Sequence, residues 1–384
     1  MIDTALFKQQ LSELIATPSI SCASPRLDTS NEGVIHLLAN WLEHLGFCCD
    51  IMPVADHPGK SNLIATLGKG SGGLVLAGHS DTVPCNPELW HQDPFTLADK
   101  DQRFYGLGAT DMKGFFPVVL AAVTALSDKL QRLQQPLIVL ATADEETSMS
   151  GARALSLAGR PKARYAVIGE PTGMRPIRMH KGILMNAVHV QGEAGHSSNP
   201  ALGKNALETM HQVMGALLKL RTQLQQRYQH AGFEVAVPTL NLGCIHGGDN
   251  PNRICNASEL HFDLRPLPGM SLDALHREIE QTLRPIGDRV GMPITIRKLF
   301  AGVEAFEEAA NSELTTVCEA LTGHASDSVA FATEAPFFQA MGMQTIVMGP
   351  GSIDQAHQPN EYIDQRQIEP AVKTLVALIE RCCF

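Results

Sequence analysis

Five short apolar runs in this chain each lead into a histidine or a carboxylate, at His79, Asp111, Glu146, Glu170 and His357, and a further acid, Glu145, directly precedes one of them. Apolar runs of four to eight residues bounded by turn signals read as buried strands. Open α/β sheets place ligand sites beyond the carboxyl ends of their strands. A chain that repeatedly puts cation-binding side chains at such ends is expected to gather them at one edge of one sheet.

His79 and Asp81 lie in Gly-Gly-Leu-Val-Leu-Ala-Gly-His-Ser-Asp-Thr-Val-Pro, residues 72–84. Side chains two apart on a strand share a face. An imidazole that binds a metal through one nitrogen usually gives its other N–H to a carboxylate or carbonyl, and Asp81 is expected to be that partner. The plain alternative is a strand-end histidine beside a turn aspartate. Asp111 follows Gly106 and Gly108 and precedes an alanine-rich apolar helix. It is expected at the helix N-terminus, either capping backbone N–H groups or giving one oxygen to each of two cations. Asp144, Glu145 and Glu146 are consecutive, and three adjacent carboxylates repel unless a cation sits among them; a solvated acidic loop is the alternative. Glu145 and Glu146 diverge in extended backbone, so one can bind metal while the other reaches a water. Glu170 ends a run stopped by Pro171, and His357 follows a glycine-rich turn. Imidazole and carboxylate donors suit zinc, cobalt or manganese.

Six dispersed motifs appear in order: Gly-His-Ser-Asp-Thr-Val-Pro (78–84), Gly-Ala-Thr-Asp-Met-Lys-Gly (108–114), Asp-Glu-Glu (144–146), Gly-Glu-Pro-Thr (169–172), Gly-Glu-Ala-Gly-His-Ser-Ser (192–198) and Gln-Ala-His-Gln-Pro-Asn-Glu (355–361). Together they resemble the zinc aminoacylase and carboxypeptidase family over essentially the whole chain. The resemblance implies two divalent metal ions, zinc by default with cobalt or manganese as alternatives. It makes Asp111 the bridge, His79 and Glu170 one set of ligands, Glu146 and His357 the other, and Asp81 the support of His79. Glu145 becomes the general base and acid, and His196 the donor to the oxyanion, supplied in several relatives by a partner subunit.

The same resemblance implies a small-molecule N-acyl amino acid as substrate and a homodimer as the assembly. Asn252 and Arg265 match positions that hold the substrate carboxylate in related desuccinylases; Arg253 and the backbone N–H groups of Gly349 and Gly351 are further candidates. A strand salt bridge is the alternative for Arg265. Thr-Glu-Ala-Pro-Phe (333–337) and His-Lys-Gly (180–182) resemble the deacetylase branch more than the desuccinylase or dipeptidase branches. Glu334 is then a candidate partner for a cationic substrate side chain, against an exposed helix-start glutamate. An inactive relative serving as an assembly subunit is the reading from another class, and the presence of Glu145 and His196 argues against it.

Through Gly169 strand and helix patterns alternate, which predicts an α/β fold with a mostly parallel sheet flanked by helices. From His180 the order becomes strand (183–190), helix (205–224), two strands (240–245, 259–265), helix (272–283) and strand (294–299). This β-α-β-β-α-β series reads as an inserted lid or dimerisation domain. The expected division is 1–179 with 300–384 for the metal-binding domain and 180–299 for the insertion. A length of 384 residues with 44% hydrophobic residues suits two domains.

With 40 acidic against 30 basic residues there is no excess positive charge for a nucleic-acid backbone. No apolar run reaches membrane-spanning length, and the chain starts without the basic-then-apolar pattern of an export signal. Nine cysteines without a Cys-x-x-Cys pair fit reduced thiols in a cytoplasm. Gly-Lys-Gly-Ser-Gly-Gly (68–73) precedes a strand and not a helix, so it reads as a turn and not a phosphate loop.

Overall fold

The computed structural model describes residues 2–384, which divide into two compact units. One contains the chain up to Arg178, Glu308–Asp327 and Thr333–Phe384; the other contains Met179–Glu307 and Ser328–Ala332. The second unit thus runs on past the strand Ile294–Lys298 and takes in a short later segment.

The first unit is built on a mixed sheet. Its centre is parallel, with Leu137–Thr142, Leu74–His79, Tyr165–Pro171 and Gln344–Gly349 side by side. Beyond Leu137–Thr142, the strands Ser61–Leu67 and Cys48–Pro53 are added antiparallel. The α/β sheet flanked by helices is thus present, with its parallel pairings in the middle and antiparallel strands added outside them. Leu74–His79, Leu137–Thr142 and Tyr165–Pro171 are buried at every position. That is what a strand covered on both faces requires, and it explains why these runs are continuously apolar.

The helix Phe115–Ala125 is apolar nearly all round and almost wholly buried, as expected of a core helix. Gln365–Cys383 instead buries one stripe, Ile368, Ala371, Val372, Leu375, Leu378 and Ile379, at helical spacing. Asp364 caps its start by accepting the Arg366 N–H at 2.9 Å.

The second unit is a four-stranded antiparallel sheet in the order Thr239–Gly247, Ala257–Arg265, Leu184–Gln191, Ile294–Lys298, with helices Ala206–Arg227 and Leu272–Val290. Ser258, Leu260, Phe262 and Leu264 alternate inward along one strand, the period-two signature of a sheet with one covered face. Leu260, Phe262 and Leu264 pack with helix residues such as Met210, Leu217 and Ile279 into that unit's own core.

Candidate metal centre

His79 closes the strand Leu74–His79, and Glu170 lies near the end of Tyr165–Pro171. The other three residues are on loops. Glu146 comes four residues after Leu137–Thr142, Asp111 lies between strand Arg103–Tyr105 and helix Phe115–Ala125, and His357 follows the short helical turn Ile353–Gln355. Placing all five at strand ends therefore needs correcting. Asp111 is also not a helix cap: the helix starts at Phe115 with Gly114 in the cap position.

Asp111 instead aims its two oxygens at two histidines. Its Oδ1 lies 3.1 Å from His79 Nε2, and its Oδ2 lies 3.4 Å from His357 Nε2. His357 Nε2 is also 3.0 and 3.2 Å from the two oxygens of Glu146. Two overlapping triads result, each with donor atoms close enough to share one cation: His79, Asp111 and Glu170, all buried, and Asp111, Glu146 and His357, more open. His79 Nδ1 is bonded to the backbone carbonyl of Asp81 at 3.0 Å, which makes Nδ1 the protonated nitrogen and leaves Nε2 facing the cluster.

The support from Asp81 is thus through its carbonyl, since its carboxylate stands 3.7 Å from His79 Nδ1. That carboxylate, fully buried, accepts the backbone N–H groups of Glu145 (3.2 Å) and Glu146 (3.1 Å). One residue thereby fixes both the imidazole and the loop of acids. Asp144 has a cation of its own: Lys60 Nζ lies 2.9 Å from Asp144 and 2.8 Å from Asp28. Ser21 and Ser150 also donate to Asp144. Lys60 is far away in the chain, and no local pattern points to it. Three adjacent acids therefore do not all await a metal.

Electrostatics tests whether cations fit. Two like charges about 4 Å apart repel by about 4 kcal/mol at an effective dielectric of about 20, well above the roughly 1 kcal/mol net return of one hydrogen bond. Burial first, then Glu170, pushes Glu145 well above the usual carboxylate range. Burial, partly offset by His79, and the Asp111 carboxylate do the same to Glu170. Hydrogen bonds to Asp111 and then Glu146 raise His357 to about 10. Burial opposes ionisation of Asp111, yet its bonds to His357 and His79 outweigh it and hold that carboxyl low. Protons are gathered into a cluster of oxygen and imidazole donors, which is where divalent cations of borderline hardness would bind with proton release.

The substrate candidates fare differently. Gly349 and Gly351 have their N–H groups engaged, by Thr172 Oγ1 at 3.3 Å and Gln367 Oε1 at 2.6 Å. A Cβ at Gly349 would lie 2.1 Å from the Gly169 carbonyl oxygen, and one at Gly351, which has φ +93°, would lie 2.2 Å from Thr110 Oγ1. Those glycines serve close packing beside Glu170, which corrects the expectation that they hold a carboxylate. Glu334 is not an exposed helix-start residue: it is 1% exposed, takes the Thr142 hydroxyl at 2.9 Å, and is pushed by burial up to about 7. Its Oε1 is buried without a hydrogen-bond partner.

In the second unit, Gly195–Ser197 runs beside Asn252–Ile254, with Ser197 N–H on the Asn252 carbonyl at 3.1 Å and a bridge between His196 and Arg253. His196 is exposed and its Nδ1 accepts the Ser198 N–H at 3.2 Å. With Nδ1 accepting, a neutral imidazole carries its proton on Nε2. Arg253 is held by Asp249, with Nε at 3.0 Å. Arg265 pairs with Asp263 two residues back at 2.8 Å, the strand salt bridge allowed for it.

A residue that the sequence left without a role is Glu361. It is 2% exposed and its carboxylate accepts three backbone N–H groups, from Gly108, Thr110 and Asp111. Burial and the Asp111 charge push it up to about 8 against the pull of those donors. It belongs to a quoted motif, yet its partners lie some 250 residues earlier, beyond any local pattern.

Residues 75–381 match Peptidase family M20/M25/M40, and the chain belongs to that family of hydrolases. Over 371 residues it is 47% identical to an acetylornithine deacetylase of Klebsiella pneumoniae (strain 342), covering 97% of this chain and 96% of that protein. Over 372 residues it is 48% identical to an acetylornithine deacetylase of Proteus mirabilis (strain HI4320), covering 97% and 95%. The fold is shared with an M20 family metallo-carboxypeptidase from Sulfolobus solfataricus, with a TM-score of 0.77 at 18% identity over 97% of this chain and 98% of that one.

Proposed function

We propose that this protein hydrolyses N2-acetyl-L-ornithine to L-ornithine and acetate, a step of arginine biosynthesis, using two divalent cations. The observation that carries the reading is Asp111, whose two oxygens face different triads. Near-full-length identity of 47% and 48% to two acetylornithine deacetylases supports the substrate.

His79, Asp111 and Glu170 would hold one cation, and Asp111, Glu146 and His357 the other. Zinc is the default for nitrogen and oxygen donors, and cobalt and manganese are compatible. When bound, the cations supply Lewis acidity and lower the pKa of a water to roughly 7. Glu145, kept basic enough by its buried acidic surroundings, takes the proton of the attacking water and delivers it to the departing ornithine amine. His196, whose Nδ1 accepts the Ser198 N–H so that Nε2 can carry the donated proton, is the candidate to stabilise charge on the acyl oxygen. Asn252, Arg253 and Arg265 are candidates for the substrate carboxylate, Arg suiting a planar anion. Glu334, with one buried oxygen unbonded, is the candidate for the ornithine ammonium.

The second unit is assigned as a lid and dimerisation domain of a homodimer, supported by the edge strands Thr239–Gly247 and Ile294–Lys298. A cytoplasmic location is consistent with nine free cysteines, and among the described residues no helix is long and apolar enough to cross a membrane. Turnover of acetylornithine, succinyl-diaminopimelate and simple dipeptides should be compared on zinc- and cobalt-loaded protein. Acetylornithine is expected to be fastest. A dipeptide or the succinyl compound turned over equally well would overturn the assignment.

A further inference from the structure

Glu361 stands outside both triads, and no step of the proposed reaction uses it. Its Oε1 accepts the N–H groups of Thr110 at 2.7 Å and Asp111 at 2.9 Å, and its Oε2 accepts that of Gly108 at 2.9 Å. Its own carbonyl takes the Gly106 N–H at 3.0 Å. The next residues, Tyr362–Asp364, pair antiparallel with Arg103–Tyr105, the strand from which the 106–111 loop departs. Converging backbone N–H groups of this kind form a concave anion site, and here the chain fills it with its own carboxylate. His357 lies four residues before Glu361 in the same segment.

We infer that Glu361 is a positioning residue for the metal centre: by anchoring the loop amides of Gly108, Thr110 and Asp111, it sets where both Asp111 oxygens lie relative to His79 and His357. The inference rests on the two-cation reading above. A loop containing Gly106 and Gly108 has many conformations to choose from. Three backbone N–H bonds accepted by one buried carboxyl select the one that splits Asp111 between the triads. Outer partners of metal ligands commonly contribute about 10- to 100-fold to metal affinity.

E361Q keeps the shape of the side chain. Its amide oxygen can keep the Thr110 and Asp111 bonds, but its NH2 group then faces the Gly108 N–H, donor against donor. Affinity for Zn(II) would be measured by competition with a chromophoric chelator on folded wild type, E361Q and E361D. The visible spectrum of Co(II)-loaded protein and the melting temperature of metal-free protein would be recorded alongside. The expected result is about 10- to 100-fold weaker binding in E361Q, with a changed Co(II) spectrum. E361D keeps the charge one methylene shorter and should lose less; it carries the test if E361Q does not fold. A lowered metal-free melting temperature with wild-type Zn(II) affinity and an unchanged Co(II) spectrum would mean a mere brace and overturn the inference alone. Wild-type protein that binds no cation would sink the two-cation reading and this inference with it.

Discussion

The two triads share Asp111 and differ in almost everything else. His79 and Glu170 stand on buried central strands, with His79 1% exposed and Glu170 5% exposed. Glu146 and His357 stand on loops, and the His357 side chain is 54% exposed. The sheet ladder holds the first pair in place, whereas Glu146 in the second depends on side-chain clamps, Asp81 on its own loop and Lys60 on Asp144 beside it; Glu361 grips the loop of the shared Asp111. A preorganised, desolvated site binds more tightly than one that must be ordered on binding. The buried triad is therefore expected to be the higher-affinity position, and the open one the position where cation exchange occurs.

Asp111→Ala should abolish the comparison itself. Loss of both cations removes several kcal/mol of transition-state stabilisation, about 10³-fold or more in kcat, and elemental analysis after dialysis should find neither metal. A variant that still retains two metals would show that Asp111 does not bridge. Glu145→Gln should cost about 10² to 10⁴ in kcat while the metal content stays at the wild-type level, separating proton transfer from metal binding. Wild-type turnover in this variant would remove Glu145 from its role as base.

His357→Ala sharpens the contrast most directly. It should leave one metal per chain in the buried triad, whereas His79→Ala should retain less metal, because what it leaves intact is the more open triad, in which the His357 side chain is 54% exposed. Identical metal loss in the two variants would show the triads to be equivalent. Asp81→Asn places an NH2 group against the Glu145 or Glu146 N–H and should weaken metal binding about 10- to 100-fold, more at the open triad than at the buried one.

Proton competition gives the smallest effect. His357, raised to about 10 without metal, must lose its proton for Nε2 to bind a cation. Affinity should therefore rise with pH below that value, and each proton displaced is worth about tenfold per pH unit. In the buried triad both His79 and Glu170 are raised well above their ordinary values, whereas in the open one Glu146 is raised less, so the buried triad's slope should be steeper. Calorimetric proton release measured in two buffers would count the protons, and equal release at both positions would contradict the difference.

The readable part of this molecule is the part that repeats locally. Continuous apolar runs ending at His79, Thr142 and Pro171 marked the central strands because burial on both faces demands apolar residues at every position. The strand expected at 259–265 lies within Ala257–Arg265, where every second residue is buried because only one face of that sheet is covered. What failed were statements about partners. Asp111 was expected at a helix N-terminus because an apolar helix follows it, but three intervening residues carry it away from the first turn. Gly349 and Gly351 looked like free amide donors, and only the approach of Gly169 and Thr110 shows that they exist for packing.

The sequence alone determined the donor chemistry, imidazoles and carboxylates in a fixed order, and the two kinds of sheet, because both follow from side-chain type and short-range period. Tertiary structure alone decided that Asp111 divides its oxygens between two histidines, that Lys60 neutralises Asp144, and that Glu361 grips the loop ahead of Asp111. Each of these joins residues far apart in the chain. Hydrogen bonds and ion pairs depend on distances of about 3 Å, and no pattern of neighbours along a chain encodes which remote segment will arrive at that distance.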